Sequence, residues 1–178
     1  MATPLPQILS NLHAAAEAAG RPDPRLLAVS KTQPAEAVAT HFDWVQSVDR
    51  PKLVTALARH RPATRGPLNV LIQVNIDDES SKHGCAPEAV DALAAAIAAE
   101  PQLRLRGLMA IPAPWPEAER RRDAFVRMRA LFQSLAAQYE QVDTLSMGMS
   151  SDYAEAIAEG ATLVRIGTAL FGARPRPA

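Results

Sequence analysis

The residues best suited to covalent chemistry are the lysines, because they are so few. The chain carries 16 Arg but only 3 Lys, at Lys31, Lys52 and Lys82. A guanidinium stays protonated and cannot act as an amine nucleophile, so a lysine in this arginine-favouring composition asks for a reason. Lys31 stands directly after the apolar run LLAVS (26–30) and before Thr32, Gln33 and Pro34. In βα folds, ligands bind at the carboxyl ends of the strands. An amine at that mouth loses hydration, its pKa falls, and it can form a Schiff base with an aldehyde. The competing reading is a solvated loop lysine.

Two further constellations could hold an anion. SMGMSSD (146–152) combines a strand end, a glycine and two serines that open a helix, although Ser150 or Ser151 could simply cap that helix. VRIGTALFG (164–172) places Arg165, Gly167 and Thr168 along or just beyond a strand, where glycine admits close backbone approach and threonine adds a hydroxyl. Barrels often bind phosphate in the loops after their last two strands. With a Schiff-base lysine on the first strand, these motifs describe a pyridoxal 5′-phosphate site, in which Arg165 could meet the pyridine nitrogen. Cys85 in KHGCAP reads as an incidental thiol. His13, His41, His60 and His83 lack metal-ligand spacing, so no metal is expected. The run Arg120-Arg121-Arg122, flanked by Glu117, Glu119 and Asp123, reads as a solvated helix face.

These side chains need a scaffold, and the sequence alternates two kinds of segment. Apolar or β-branched runs are LLAVS (26–30), WVQSV (44–48), NVLIQVN (69–75), LRLRGLMAI (103–111), TLSMGM (144–149) and LVRIGTALF (163–171). Helical segments lie at 6–19, 87–100, 116–140 and 151–160, the last with Ser151 and Asp152 as possible N-caps and Gly160 as its stop. This βα alternation implies a parallel sheet covered by helices. A (β/α)8 barrel needs eight strands and usually ~250 residues, so a count of six alone favours an open doubly wound sheet. One join is anomalous. The short helix PAEAVAT runs into HFDWVQSV with no Gly, Pro or Asn between them, so residues look absent between Thr40 and His41.

Composition narrows the partners. Nineteen basic and 19 acidic residues cancel, which argues against nucleic acid and anionic membranes. No apolar stretch is long enough to span a bilayer, and the N-terminus lacks the pattern of a secretory leader. A single cysteine excludes an internal disulfide framework. One domain over 1–178 is expected, with no low-complexity linker dividing it.

LLAVSKTQPAEAV, QVNIDDESSKHG, LRGLMAIP and LSMGMSSDYAEAIAEGATLVRIGTALFGAR together resemble the YggS/PROSC family of pyridoxal-phosphate homeostasis proteins. The resemblance implies a (β/α)8 TIM-type barrel like the N-terminal barrel of alanine racemase, without that enzyme's second domain. It implies a cytoplasmic protein, a monomer or weak dimer, that carries or buffers pyridoxal 5′-phosphate without established catalysis. Apoenzymes that depend on the cofactor are the candidate recipients. By resemblance, Lys31 is the Schiff-base lysine, and Ser150, Gly167 and Thr168 form the phosphate cradle. Ser146 and Met147 line the same pocket, and Arg165 faces the pyridine nitrogen. A cation there disfavours a second positive charge on the ring, which makes the cofactor a poor electron sink. Lys82 matches a family lysine to which no cofactor bond is assigned. The family's GEN-type and HFIG-type motifs, on its second and third strands, are missing here. About two βα units of the barrel are therefore absent between Thr40 and His41, which would leave two exposed parallel edges. The alternative is a fold-type III enzyme such as an amino-acid racemase. It would need a second acid/base residue opposite Lys31, and Tyr139 and Tyr153 are the only tyrosines.

Overall fold

The computed structural model describes residues 5–27, 35–79 and 83–167. Six strands form one sheet: β1 (Arg25–Leu27), β2 (Trp44–Val48), β3 (Leu68–Val74), β4 (Leu103–Ala110), β5 (Thr144–Ser146) and β6 (Leu163–Arg165). They pair in the order β1-β6-β5-β4-β3-β2, and every pair is parallel. The helices are α1 (Leu5–Ala18), α2 (Ala35–His41), α3 (Pro51–His60), α4 (Val90–Ala98), α5 (Ala118–Gln138) and α6 (Tyr153–Ala158). Each of the six expected runs contains a strand, and positions 28–30 and 168–171 of the first and last runs lie outside the described residues. Helix α3, not singled out from the sequence, is opened by Pro51 in its first turn and buries Val54, Leu57 and Ala58.

The central strands are apolar on both faces because both faces are covered. Six of the seven residues of β3 are buried. Phe125, Met128 and Leu135 of α5 and Ile97 of α4 are completely or almost completely enclosed against the sheet. The sheet is also strongly curled. The Ser146 hydroxyl on β5 donates to Gln46 Oε1 on β2 at 2.8 Å, although β3 and β4 lie between those strands. In a flat sheet, strands three apart would be separated by roughly 14 Å. The contact is therefore made across the inside of a curved wall.

The expected eight-strand closure is not made by the described residues. Strand β1 pairs with β6 and β2 with β3, which leaves β1 and β2 as the two edges. The physical reason is local: α2 leads straight into β2, so no further strand comes between them after residue 35. The Thr40–His41 join falls inside the last turn of α2, and Phe42 N–H donates to Val38 O at 3.0 Å just after it. The reversal that seemed to lack turn chemistry is supplied from elsewhere in the chain. Arg61, buried after α3, donates from Nη1 to Ala39 O at 3.0 Å and to Phe42 O at 2.7 Å. Arg65 donates to Thr40 O at 2.8 Å and to Asp43 Oδ1 at 3.0 Å. Two guanidinium groups thus satisfy the open carbonyls of the helix end, a task usually done by a glycine cap.

The arginine run on α5 is largely solvent-exposed, as its sequence reading has it, and it also makes specific contacts. Arg120 lies over the Trp115 ring, 4.2 Å from its centroid. Arg121 makes a two-pronged contact with Glu155 of α6, at 3.0 and 2.7 Å. Arg122 and Arg129 meet the two oxygens of Glu159 at 2.7 Å each, and the Glu159 side chain is only 3% exposed. These charges clasp α6 onto α5 and so locate the loop that precedes α6. Glu159→Ala should lower stability by about 2 kcal/mol, because a buried charge-assisted contact is lost while both arginines can turn to water. The melting midpoint should fall by roughly 4–8 °C, and an unchanged midpoint in calorimetry would show the clasp to be idle.

Candidate cofactor site

The centre of the site is Arg165, the last residue of β6, which is 7% exposed. Its Nη1 donates to Ser146 O at 3.0 Å and to Ser146 Oγ at 2.7 Å, and its Nη2 donates to Ala110 O at 2.7 Å. These acceptors sit at the carboxyl ends of β5 and β4, the end where βα folds bind ligands. All three are neutral. Burial pushes the Arg165 guanidinium down to about 10, partly offset by the charge of Asp152. The Asp152 carboxyl is itself pushed up by burial, against the pull of its hydrogen bond from Met149 N–H at 2.6 Å. Among the described residues, no carboxylate bonds to Arg165. A guanidinium has five N–H donors, and the three contacts leave some of them for a ligand.

The loop after β5 is shaped by Gly148. Its φ is +89°, and a Cβ there would come within 2.6 Å of the Ala156 Cβ and 3.1 Å of the Tyr153 Cα. Only glycine lets the loop pass this close to α6. Gly148 O accepts from Arg165 N–H at 3.0 Å, which ties the loop back to β6.

The structure brings together some of the residues singled out from the sequence. Ser146 and Arg165 are in direct contact. Ser150 is half-buried in the turn before α6, and Gly167 is half-buried just past β6. A Cβ built on Gly167 would meet no atom within 4 Å, so packing within the protein does not demand glycine there. Met147 differs from its expected place as a pocket wall. It is 0% exposed and belongs to the apolar core, so it supplies packing and no accessible surface. Asp152 is the residue before α6, but its carboxylate accepts from Met149 N–H behind it rather than capping the helix ahead. Lys31 and Thr168 lie outside the described residues. Leu27, the last described residue before Lys31, pairs with Arg165 in the sheet register.

Sequence reasoning missed Gln46. Its signal was present as a lone amide in the middle of the run WVQSV, but nothing local says that it faces Ser146, 100 residues away. No cluster of metal-ligating side chains occurs among the described residues. Cys85 is buried, and desolvation raises its thiol to about 11. A thiol reagent at pH 8 should therefore label the native chain about 100-fold more slowly than the urea-unfolded chain. Equal rates would show an accessible thiolate.

With this geometry in hand, comparison with known proteins is informative. The family model for the alanine racemase N-terminal domain matches residues 8–175. A solved structure of PipY from Synechococcus elongatus, with pyridoxal phosphate bound, is 32% identical, with a TM-score of 0.71, covering 92% of this chain and 78% of that one. This chain belongs to the YggS/PROSC family of alanine racemase N-terminal domains. Curated YggS/PROSC relatives include the "pyridoxal phosphate homeostasis protein" of Pseudomonas aeruginosa, 56% identical over 145 residues, which are 82% of this chain and 60% of that protein. The Escherichia coli K12 protein of the same name is 55% identical over 137 residues, 77% of this chain and 58% of that protein. The chain thus matches about three-fifths of the length of these relatives. A protein of unknown function from Bifidobacterium adolescentis has a TM-score of 0.81 at 26% identity, covering 93% of this chain and 92% of that one. A D-threonine aldolase from Filomicrobium marinum shares the fold at a TM-score of 0.62 and 19% identity, over 96% of this chain and 50% of that one.

Proposed function

We propose that this chain binds pyridoxal 5′-phosphate and carries or buffers it, without catalytic turnover, in vitamin B6 homeostasis. The observation that supports this reading best is Arg165. Its guanidinium is buried, is held only by neutral acceptors and keeps unused N–H donors at the ligand-binding end of the sheet. That donor set fits an unprotonated pyridine nitrogen, which accepts a hydrogen bond and gains nothing from a second proton beside a cation. When bound, the cofactor supplies a reactive aldehyde. In this reading Lys31 takes the aldehyde through a Schiff base, while Ser150, Gly167 and Thr168 receive the phosphate. Ser146 orients Arg165 from below. The homologues' names support homeostasis rather than turnover.

We read the six-strand wall as a (β/α)8 barrel lacking about two βα units between Thr40 and His41. The greater length of the relatives supports this. Among the described residues, no helix is long and apolar enough to cross a membrane. A cytoplasmic monomer or weak dimer serving cofactor-dependent apoenzymes completes the proposal. A racemase would need an acid/base residue opposite Lys31. Tyr139 ends α5 and Tyr153 opens α6, half-buried against the core beside Gly148.

The test is an intact mass of the chain after incubation with pyridoxal phosphate, with and without borohydride. A reduced pyridoxyl adduct is expected, and a chain that acquires none overturns the cofactor reading. Amino-acid α-protons should not exchange in deuterated water, whereas exchange would favour the racemase.

A further inference from the structure

The hydrogen-bond network behind Arg165 reaches further than the pocket. Ser146 has one hydroxyl proton, and it is directed to Gln46 Oε1 at 2.8 Å. The lone pairs of the same oxygen are thereby left to accept from Arg165 Nη1 at 2.7 Å. The direction of this relay depends on residue 46 being an acceptor. A donor in that place would turn the serine proton back toward the guanidinium. The charge of residue 46 matters as well. An amide accepts the proton while adding no charge, so the positive charge of Arg165 remains unneutralised from this side. Among the described residues, the charged group acting on Arg165 is Asp152, just before α6, and Glu155 and Arg121 act in turn on Asp152.

We propose that Gln46, through the Ser146 hydroxyl, is a positioning residue that aims Arg165 at the ligand and keeps its charge unpaired, so that the site selects a heteroaromatic ring whose nitrogen carries no proton. The inference rests on the cofactor reading above and assigns its selectivity to a residue on β2, at the far side of the curved wall. The curl of the sheet makes this possible, because β2 and β5 are not neighbours. The neutral relay and the cation act together: the relay orients, and the cation discriminates between ring protonation states.

The test is a pH titration of the visible absorbance band of the chain loaded with pyridoxal phosphate, together with its dissociation constant. Gln46→Glu retains the acceptor and adds a negative charge within a few ångströms of Arg165. The titration midpoint should rise by about one pH unit, as a nearby anion favours protonated forms of the bound ligand. Gln46→Leu removes the acceptor without adding charge. It should weaken cofactor binding by roughly 3–10-fold and leave the midpoint in place. A normal band with an unmoved midpoint in Gln46→Glu overturns this inference while leaving the cofactor reading intact. Should the charged variant not fold, unchanged affinity in Gln46→Leu overturns it instead. An unmodified chain that never develops the band overturns both.

Discussion

Lys31→Ala abolishes borohydride-trapped pyridoxyl adduct and the associated absorbance band, while the chain stays folded. The effect is expected to be all-or-none, because in the proposed reading Lys31 supplies the amine for the covalent bond. Lys31→Arg should behave in the same way. It keeps the positive charge and the length, but a guanidinium remains protonated and cannot attack an aldehyde. The pair of variants therefore separates the loss of a nucleophile from the loss of a charge. The argument for Lys31 over the other two lysines combines scarcity and place. Lys52 is exposed on α3, and Lys82 lies outside the described residues. Lys31 stands four residues after Leu27, which pairs with Arg165 in the sheet. Residual noncovalent binding through Arg165 and the phosphate cradle is expected in both variants. An undiminished adduct in Lys31→Ala, located by peptide mapping on another lysine, would move the site.

Gly107→Ala is expected to be the most damaging single substitution for folding. Gly107 of β4 pairs in register with Thr144 of β5 at φ +144°. A Cβ there would stand 1.9 Å from Thr144 O and 2.8 Å from its carbonyl carbon. Both obstacles are backbone, so no side chain can swing aside. Strands β4 and β5 would have to part, and the same strands carry Ala110 O and Ser146, which hold Arg165. The register offers a reason for the close approach. Val70 pairs with Leu105 but Leu71 pairs with Gly107, so Arg106 is an extra residue that bends β4 at this point. The cost should exceed about 4 kcal/mol, which for a chain of this size lowers the melting midpoint by roughly 8–16 °C or prevents folding. Calorimetry or far-ultraviolet dichroism on heating would decide it, and a midpoint within 2–4 °C of the unmodified chain, about 1 kcal/mol, would mean that the strands can shift cheaply.

Legibility in the sequence followed the range of the interactions. The strands WVQSV and LRLRGLMAI were readable because apolar runs bounded by turn residues report local burial. Arg165, Ser146 and Ser150 stood out as candidates because their motifs sit at strand ends. How the end of α2 is capped was not legible, for the opposite reason. Its capping groups, Arg61 and Arg65, come from beyond α3, and their roles depend on how two helices and a strand pack. The ion pairs that Arg121 and Arg122 make from this exposed face were not legible, because their partners, Glu155 and Glu159, lie 34 and 37 residues away in and just after α6. Met147 was assigned to the pocket wall by resemblance alone, and the chain buries it completely in the apolar core.

By itself, the sequence determined the βα alternation, the parallel sheet and the family. Those properties are carried by local periodicity and by short motifs. Tertiary structure alone decided that the sheet curls until β2 and β5 touch through Gln46 and Ser146, that Arg165 is buried among neutral acceptors, and that β1 and β2 are the edges of the sheet among the described residues. The physical reason is that the strength and direction of an electrostatic contact depend on distance, burial and the partner's charge. Residues 100 positions apart acquire those only when the chain has folded.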